Sequence, residues 1–513
     1  MGEGFLEGLQ PGARPSEAGE DPEGQNRLNI LLRVPIGLQS LPNAYLAIWA
    51  LLLTGTSMRT VRPKLVPVAL VLFVLTLGLS PGTYGQVFAG LTPDAVRKYY
   101  DVTPLIQSGY TGKGVTVAVV AQSANPGYAV DIEHFDSYNG LPGVNLTTLE
   151  PFGSLGTTSG TQLELTGDIE LIHAMAPDAD IVVVLAGNNS ILSSVSYLID
   201  HSSVDIISTS EFEWDAGHGA AQWASAVDAN FSRSVARNIT LITTSGDSGA
   251  NNTVPFQGIT PAWASYGSDS YSMPTYDPYF TVVGGTQFVL RGWTPVGEEA
   301  WNASGGGPSN LFAQPSWQAA SGVPKNGFRD IPDLSLDSSC QVPYSEVWED
   351  ESITFCGTSA AAPVFAGIIA DVEQAAGHRL GFLNPSLYAL ARSDPSAFND
   401  IVSGYSFVDS GGVIQRGYCA TKGWDFVTGL GSPDAVRLLH YFAPNASLNA
   451  TASIGRPSSN STVSTTSSCP PIAGRTGLPV SLIFGILAAS ALGVVAVAVF
   501  LRRGRPKAEE GAY

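Results

Sequence analysis

The feature that most constrains the fold is a series of short β-branched runs between residues 86 and 443. These runs alternate with amphipathic stretches and are VTVAVVA (115–121), DIVVVLA (180–186), VDIISTS (204–210), ITLITTSG (239–246) and YFTVVGG (279–285). Strands that alternate with helical segments are typical of a parallel sheet covered by helices on both faces. We therefore predict an α/β domain with a mostly parallel sheet over residues 86–443.

A long apolar run near the C-terminus predicts a transmembrane helix over residues 479–501. The run is long enough to cross a bilayer, and the segment 502–513 that follows it is basic at its start, which predicts a cytoplasmic tail. A buried core helix is the alternative, but such helices are rarely apolar on every side and followed by a basic stop. The Ser/Thr/Asn-rich segment 444–478 predicts an extracellular stalk, so we expect a single-pass protein of the cell membrane.

The N-terminal region contains a segment with the anatomy of a signal peptide, over residues 58–85. Met58 is followed by basic residues and then by the apolar run LVPVALVLFVLTLGL. Residues 1–57 fit poorly upstream of such a signal, and we hypothesise that the biological start is Met58. The alternative is an additional membrane segment at 44–53, although that run is too short to span comfortably.

Composition excludes several classes of protein. Charged residues make up 13% of the chain and the net charge is -19, which argues against a nucleic-acid partner. The four cysteines form no CxxC pair, so a thiolate metal site is not expected. Cys340 and Cys356 are spaced for either a disulfide or two buried thiols. Sequons typical of an exported glycoprotein occur at Asn145, Asn188, Asn230, Asn238, Asn251, Asn302, Asn445, Asn449 and Asn460.

A candidate nucleophile lies in the segment CGTSAAAPVFAGIIADVEQA, residues 356–375. It predicts a glycine turn, then Ser359 at the start of a long helix, where backbone N–H groups favour a developing negative charge. A serine that only caps the helix is the simpler alternative, and the triplet alone does not exclude it.

Two carboxylates in ELTGDIELIHAMAPDADIVVVLA, residues 164–186, are candidates for a general base. Glu164 and Asp168 are four residues apart and share one face of a predicted helix. Close carboxylates share a proton, so Glu164 would accept the Ser359 proton while Asp168 orients it. A solvated acidic helix face is the alternative. The six histidines lie in no recognisable base motif.

A third carboxylate follows the predicted strand at 239–246. Asp247 lies in Ser-Gly-Asp-Ser-Gly, and ligands of parallel sheets bind at the carboxyl ends of strands. A protonated aspartic acid there would donate a hydrogen bond to an oxyanion. An aspartate that caps a turn is the alternative.

Taken together and in this order, the motifs resemble those of the sedolisin (serine-carboxyl peptidase) family. Gly-Thr-Ser-x-x-x-Pro is shared with subtilisins, but Ala121 and Gln122 replace the expected strand-end Asp, and His218-Gly219-Ala220 lacks the subtilisin histidine motif. The resemblance covers roughly residues 90–443. It implies a subtilisin-like fold, with Ser359 as nucleophile, Glu164 as base, Asp168 as orienting carboxylate and Asp247 as oxyanion donor.

The resemblance also implies one structural calcium ion. Its ligands would be the carboxylates of Asp400 and Asp425 and the backbone carbonyls of Ile401, Thr421 and Gly423. Family precursors carry an inhibitory prodomain, for which we find no room between the signal and residue 90. Folding without that segment, supply by a separate protein, and control by export into acid all stay open.

We expect a monomeric, membrane-anchored endopeptidase that cleaves extracellular proteins at low pH through an acyl-enzyme. One alternative is a tripeptidyl-type aminopeptidase. The other is an inactive sedolisin-like surface protein that binds partners.

Overall fold

The fold is known from a computed structural model that describes residues 90–124, 126–153, 162–187, 189–216, 219–252, 270–409 and 414–449. The predicted signal peptide, most of the predicted stalk, the predicted transmembrane helix at 479–501 and the predicted tail lie outside these residues. Within the described ranges, no helix combines the length and apolar character needed to cross a membrane.

The described strands are numbered along the chain. Strands β1 to β18 are Thr116–Ala121, Asn145–Leu149, Asp180–Leu185, Ile206–Thr209, Glu213–Ala216, Thr240–Thr244, Ser270–Met273, Thr281–Arg291, Thr294–Ala300, Gly307–Ala313, Phe328–Ile331, Leu334–Asp337, Tyr344–Trp348, Glu351–Phe355, Phe398–Asn399, Tyr405–Asp409, Ile414–Cys419 and Ser432–Pro433.

The described α-helices are numbered in the same way. Helices α1 to α10 are Pro93–Tyr99, Thr103–Gln107, Tyr128–Asn139, Gln162–Met175, Ile191–His201, Ala220–Phe231, Arg233–Arg237, Thr358–Ala376, Asn384–Ser393 and Ala435–Phe442.

The central sheet has the strand order β12-β8-β6-β4-β1-β3-β2. Neighbours in this order pair in parallel, and β9 adds one antiparallel pairing to β8. The five β-branched runs recognised in the sequence become β1, β3, β4, β6 and β8. The predicted mostly parallel sheet is therefore confirmed.

Alternate residues of the strands point into separate cores on the two faces of the sheet. In β1, Val117 and Val119 belong to the core that contains α4 and α8, whereas Ala118 and Val120 belong to the core that contains α5 and α6. This alternation follows from the twofold period of a strand and buries both faces. Helices on both faces are thus confirmed.

A β-hairpin formed by β13 and β14 covers helix α4 and leads into α8. The hairpin packs closely against α4 because Gly167 has no side chain: a Cβ there would lie 2.7 Å from the Phe355 ring. The Val347 amide also donates to Glu170 Oε2 at 3.1 Å. The hairpin therefore fixes the loop before α8 relative to α4.

The packed domain continues a few residues past α10. The Asn449 amide donates to Ser108 Oγ at 2.9 Å, and its side-chain amide donates to the Gln107 carbonyl at 2.6 Å. The first residues of the segment predicted as a stalk therefore lie against α2 and the turn that follows it.

Candidate active site

Ser359 lies in the first turn of α8, at the carboxyl-end edge of the sheet. The preceding Gly357 has a φ of 107°, a conformation that side chains strongly disfavour, and a Cβ there would lie 2.5 Å from Asp247 Oδ2. Glycine is thus required both for the turn and for the approach of Asp247. Ser359 itself is half-buried, so a substrate can reach its hydroxyl.

The loop before Ser359 is tied by a disulfide between Cys340 and Cys356, with the two Cα atoms 5.0 Å apart. The sequence left a disulfide and two buried thiols open, and the structure has the disulfide. Because its sulfur is bonded, Cys356 is not a rival nucleophile to Ser359.

Glu164, in the first turn of α4, is the hydrogen-bond partner of the Ser359 side chain. Burial raises the pKa of Glu164 to about 7, the Ser359 hydrogen bond opposes this shift, and the charges of Asp247 and Glu211 add to it. A carboxyl with this pKa gains and loses a proton in mildly acidic to neutral solution. The described structure therefore joins the predicted base to the predicted nucleophile.

Asp168 lies one helical turn further along α4 and is 1% exposed. Its Oδ1 is hydrogen-bonded to the Ser210 hydroxyl, with 2.7 Å between the two oxygens. Burial raises the pKa of Asp168 well above its usual range, and the neighbouring charge of Glu164 raises it further. The solvated helix face considered as an alternative is excluded for this pair.

Asp247 approaches the nucleophile from the end of β6. Its Oδ1 accepts hydrogen bonds of 2.8 Å from both the backbone N–H and the hydroxyl of Thr358. Although the residue borders solvent, close packing around the carboxyl raises its pKa, and the two Thr358 hydrogen bonds oppose that rise. Oδ2, the oxygen beside Gly357, stays available to carry a proton.

The sequence did not identify three further residues around Ser359 and its neighbouring carboxyls. Ser210 follows β4 directly, and the strand-end rule that selected Asp247 would have found it as well. Glu211, next in the chain, accepts the Gln122 N–H at 3.1 Å and has a pKa raised to about 6 by burial. Glu346 on β13 is buried beside α4, and no sequence pattern marks it.

The predicted calcium ligands lie on two segments, 400–401 and 421–425, which are joined by hydrogen bonds between Asp400 and Gly423. Both oxygens of Asp400 lie 3.0 Å from the Gly423 N–H, and Asp425 Oδ2 lies 2.9 Å from the Thr421 N–H. Ile401 is buried directly after Asp400. In the described part of the chain no three His, Cys, Asp or Glu side chains form a metal cluster. Two carboxylates beside backbone carbonyls are nevertheless the oxygen donors that Ca²⁺ prefers.

Comparison with known proteins identifies similar peptidases. Kumamolisin from a Bacillus species is 30% identical over an alignment of 361 residues that covers 66% of this chain and 62% of the relative. Tripeptidyl-peptidase 1 of Rattus norvegicus is 30% identical over an alignment of 266 residues that covers 47% of this chain and 44% of the relative. This chain thus spans at most about three fifths of the length of these relatives. No protein-family model matches the chain.

A solved structure shares the fold. Pseudomonas sedolisin (serine-carboxyl proteinase), complexed with two molecules of pseudo-iodotyrostatin, has a TM-score of 0.58 and 27% sequence identity. The match covers 69% of this chain and 98% of that chain. The predicted resemblance is therefore supported at the level of both sequence and fold.

Proposed function

Because the chain belongs to the sedolisin family, we propose that it is a serine peptidase that acts in acid, with Ser359 as its nucleophile. The observation that carries this proposal is the hydrogen bond between Ser359 and a buried carboxyl, Glu164. A carboxyl of this kind replaces the histidine base of other serine peptidases.

The proposed reaction has two halves. Ser359 Oγ attacks the peptide carbonyl as Glu164 takes its proton, and the tetrahedral intermediate expels the amine, which receives that proton from Glu164. A water molecule then attacks the acyl ester and loses a proton to Glu164, and the second tetrahedral intermediate collapses to the acid product as Glu164 returns that proton to the departing Ser359 Oγ. Asp168 keeps a proton next to Glu164, so that the pair carries a single negative charge.

Asp247 is proposed to stabilise the oxyanion of both intermediates. A protonated Oδ2 would donate to that oxygen from the side of Gly357, while the N-terminal amides of α8 act from the helix end. Activity then requires an ionised Glu164 and a protonated Asp247. Protonation of Glu164 limits the rate at low pH, and ionisation of Asp247 limits the rate as the pH rises.

The test is proteolysis of an unfolded protein between about pH 2 and 7 by the domain ending at residue 449, with Ser359→Ala as the matched inactive variant. We expect hydrolysis in acid that disappears in the variant. If folded protein cleaves nothing, or if the variant cleaves equally well, the peptidase proposal fails and the binding-protein alternative gains support.

Endopeptidase action is the main form of the proposal, and tripeptidyl exopeptidase action is the second candidate. The second is favoured by the similarity to tripeptidyl-peptidase 1. Matched peptides with free and acetylated N-termini separate the two. An exopeptidase releases tripeptides only from the free form, whereas an endopeptidase cleaves both.

We further propose that Ca²⁺ binds between Asp400 and Asp425, where it would cross-link the two segments of the domain that carry these residues. Chelation is then expected to lower the unfolding temperature by several degrees, and Asp400→Asn should abolish the response to added Ca²⁺. An unfolding temperature that is insensitive to chelation would contradict this site.

The apolar segment 479–501 is proposed to anchor the chain with its peptidase domain outside the cell. The support is its length and the basic residues after it. Protease protection of intact cells tests this orientation: added protease should remove the domain but leave the tail. A protected domain would contradict it.

A further inference from the structure

The Ser359 backbone carbonyl lacks the partner that a regular helix would give it. In α8 its acceptor oxygen would receive the N–H of the residue four positions later, which is Pro363, and proline has no N–H. The Ser359 carbonyl therefore needs a hydrogen-bond donor from outside the helix. The Ser210 hydroxyl occupies that place, with Oγ 3.3 Å from the Ser359 oxygen.

The same hydroxyl contacts the catalytic carboxyl pair. Ser210 is 6% exposed, and its Oγ lies 2.7 Å from Asp168 Oδ1. A hydroxyl has a single hydrogen but can also accept, so it satisfies both neighbours fully only when Asp168 is protonated. Asp168 then donates to Ser210, and Ser210 donates to the Ser359 carbonyl.

We infer that Ser210 is a positioning residue that links Asp168 to the backbone of the nucleophile and keeps the Asp168 proton directed away from Glu164. Its Oγ contacts Asp168 Oδ1 and the Ser359 backbone oxygen rather than the reacting Ser359 Oγ. Without the Ser210 hydroxyl, the Asp168 proton would turn to Glu164, and a hydrogen bond to that carboxylate would make it a weaker base. Ser210 thus sets the basicity of Glu164 and the position of Ser359 at once.

This inference rests on the proposed function, and its first test uses the pH profile. Ser210→Ala is expected to lower kcat by roughly tenfold, with KM within about twofold, and to move the low-pH limb of kcat/KM to lower pH. Ser210→Thr retains the hydroxyl and should recover most of the rate.

Ser208 supplies a matched control. It lies two residues earlier in the chain, on β4, is also buried, and its Oγ has no hydrogen-bond partner in the described structure. Ser208→Ala should therefore leave kcat and the pH profile unchanged. If Ser208→Ala and Ser210→Ala behave alike, or if Ser210→Ala loses rate with an unshifted profile, Ser210 is only a packing residue and the inference is overturned.

A second test does not depend on catalysis and keeps the inference separate from the peptidase proposal. Unfolding of Ser210→Ala, Asp168→Asn and the double variant forms a thermodynamic cycle, run in the Ser359→Ala background if needed. Non-additive changes in the free energy of unfolding are expected for linked residues. Additive changes would overturn the link even in an active peptidase, whereas non-additive changes in a protein without activity would leave the link and remove the proposed function.

Discussion

At the scale of single residues, the site depends on carboxyls whose surroundings set different protonation states. Asp168 is the most deeply buried of the three and is hydrogen-bonded to one hydroxyl, whereas Asp247 accepts two Thr358 donors and borders solvent. Glu164 is intermediate between them in exposure and is hydrogen-bonded to the Ser359 side chain. Different burial and different donors thus let neighbouring acids hold different numbers of protons at one pH.

Removal of the base gives the first prediction. Glu164→Gln preserves shape but cannot accept the Ser359 proton, so kcat should fall by about 10²- to 10⁴-fold with little change in KM. Steady-state kinetics with a peptide substrate measure both constants. The control is Glu133→Gln on the exposed face of α3, which should retain full activity. A fall in activity below about tenfold would remove Glu164 from the role of base.

The oxyanion role gives a second prediction, on the opposite limb of the pH profile. An amide at position 247 donates a hydrogen bond at every pH, whereas the carboxyl stops donating once it ionises. Asp247→Asn should therefore keep measurable activity and extend it to higher pH, whereas Asp247→Ala should lose about 10²- to 10³-fold in kcat. An unchanged high-pH limb in Asp247→Asn would contradict the role.

At the scale of elements, the sequence predicted the parts that have a local signature. Five strands of the central sheet follow from β-branched runs and α4 follows from helical spacing, and α8 follows from the glycine turn and the small residues after Ser359. The β13–β14 hairpin was not predicted, because what holds it is the contact of Phe355 with Gly167 and a disulfide closed by Cys340. Glu346 reaches the site through such long-range packing, whereas Ser210 follows β4 directly.

The turn before α8 gives a third prediction. Gly357→Ala forces a side chain into a φ of 107° and within 2.5 Å of Asp247 Oδ2, so it should reduce kcat at least tenfold and lower the unfolding temperature by several degrees. Gly114→Ala is the control, since its φ is also positive, 82°, but its Cβ would meet open space. Equal losses of activity in both variants would show that strain alone, and not the Asp247 contact, matters.

At the scale of the whole molecule, buried carboxyls favour an acidic medium. Both oxygens of Glu346 and of Asp371 are buried without hydrogen-bond partners in the described structure, and burial raises the pKa of each well above its usual range. Such groups bind a proton more tightly in the folded chain than in the unfolded chain. Their contribution to stability is complete below the unfolded pKa near 4 and is lost as pH rises through the folded pKa.

A fourth prediction follows for Glu346. Glu346→Gln is neutral at every pH, so its unfolding temperature should match that of the parent near pH 4 and exceed it by a few degrees near pH 7. Thermal unfolding at the two pH values measures this. Glu351→Gln, at an exposed position of the same hairpin, is the control and should show no pH-dependent difference. A parallel shift at both pH values would mean that Glu346 is not protonated in the folded domain.

The central claim is that Ser359 becomes acylated, and rapid acid quenching followed by mass spectrometry tests it most directly. The domain is mixed with excess peptide p-nitrophenyl ester and quenched within milliseconds, and the acylated residue is located by digestion. We predict one acyl group, on Ser359, that is absent from Ser359→Ala and forms slowly in Glu164→Gln. An active domain that releases product without an acyl group on Ser359, or that carries it on another residue, would contradict the account.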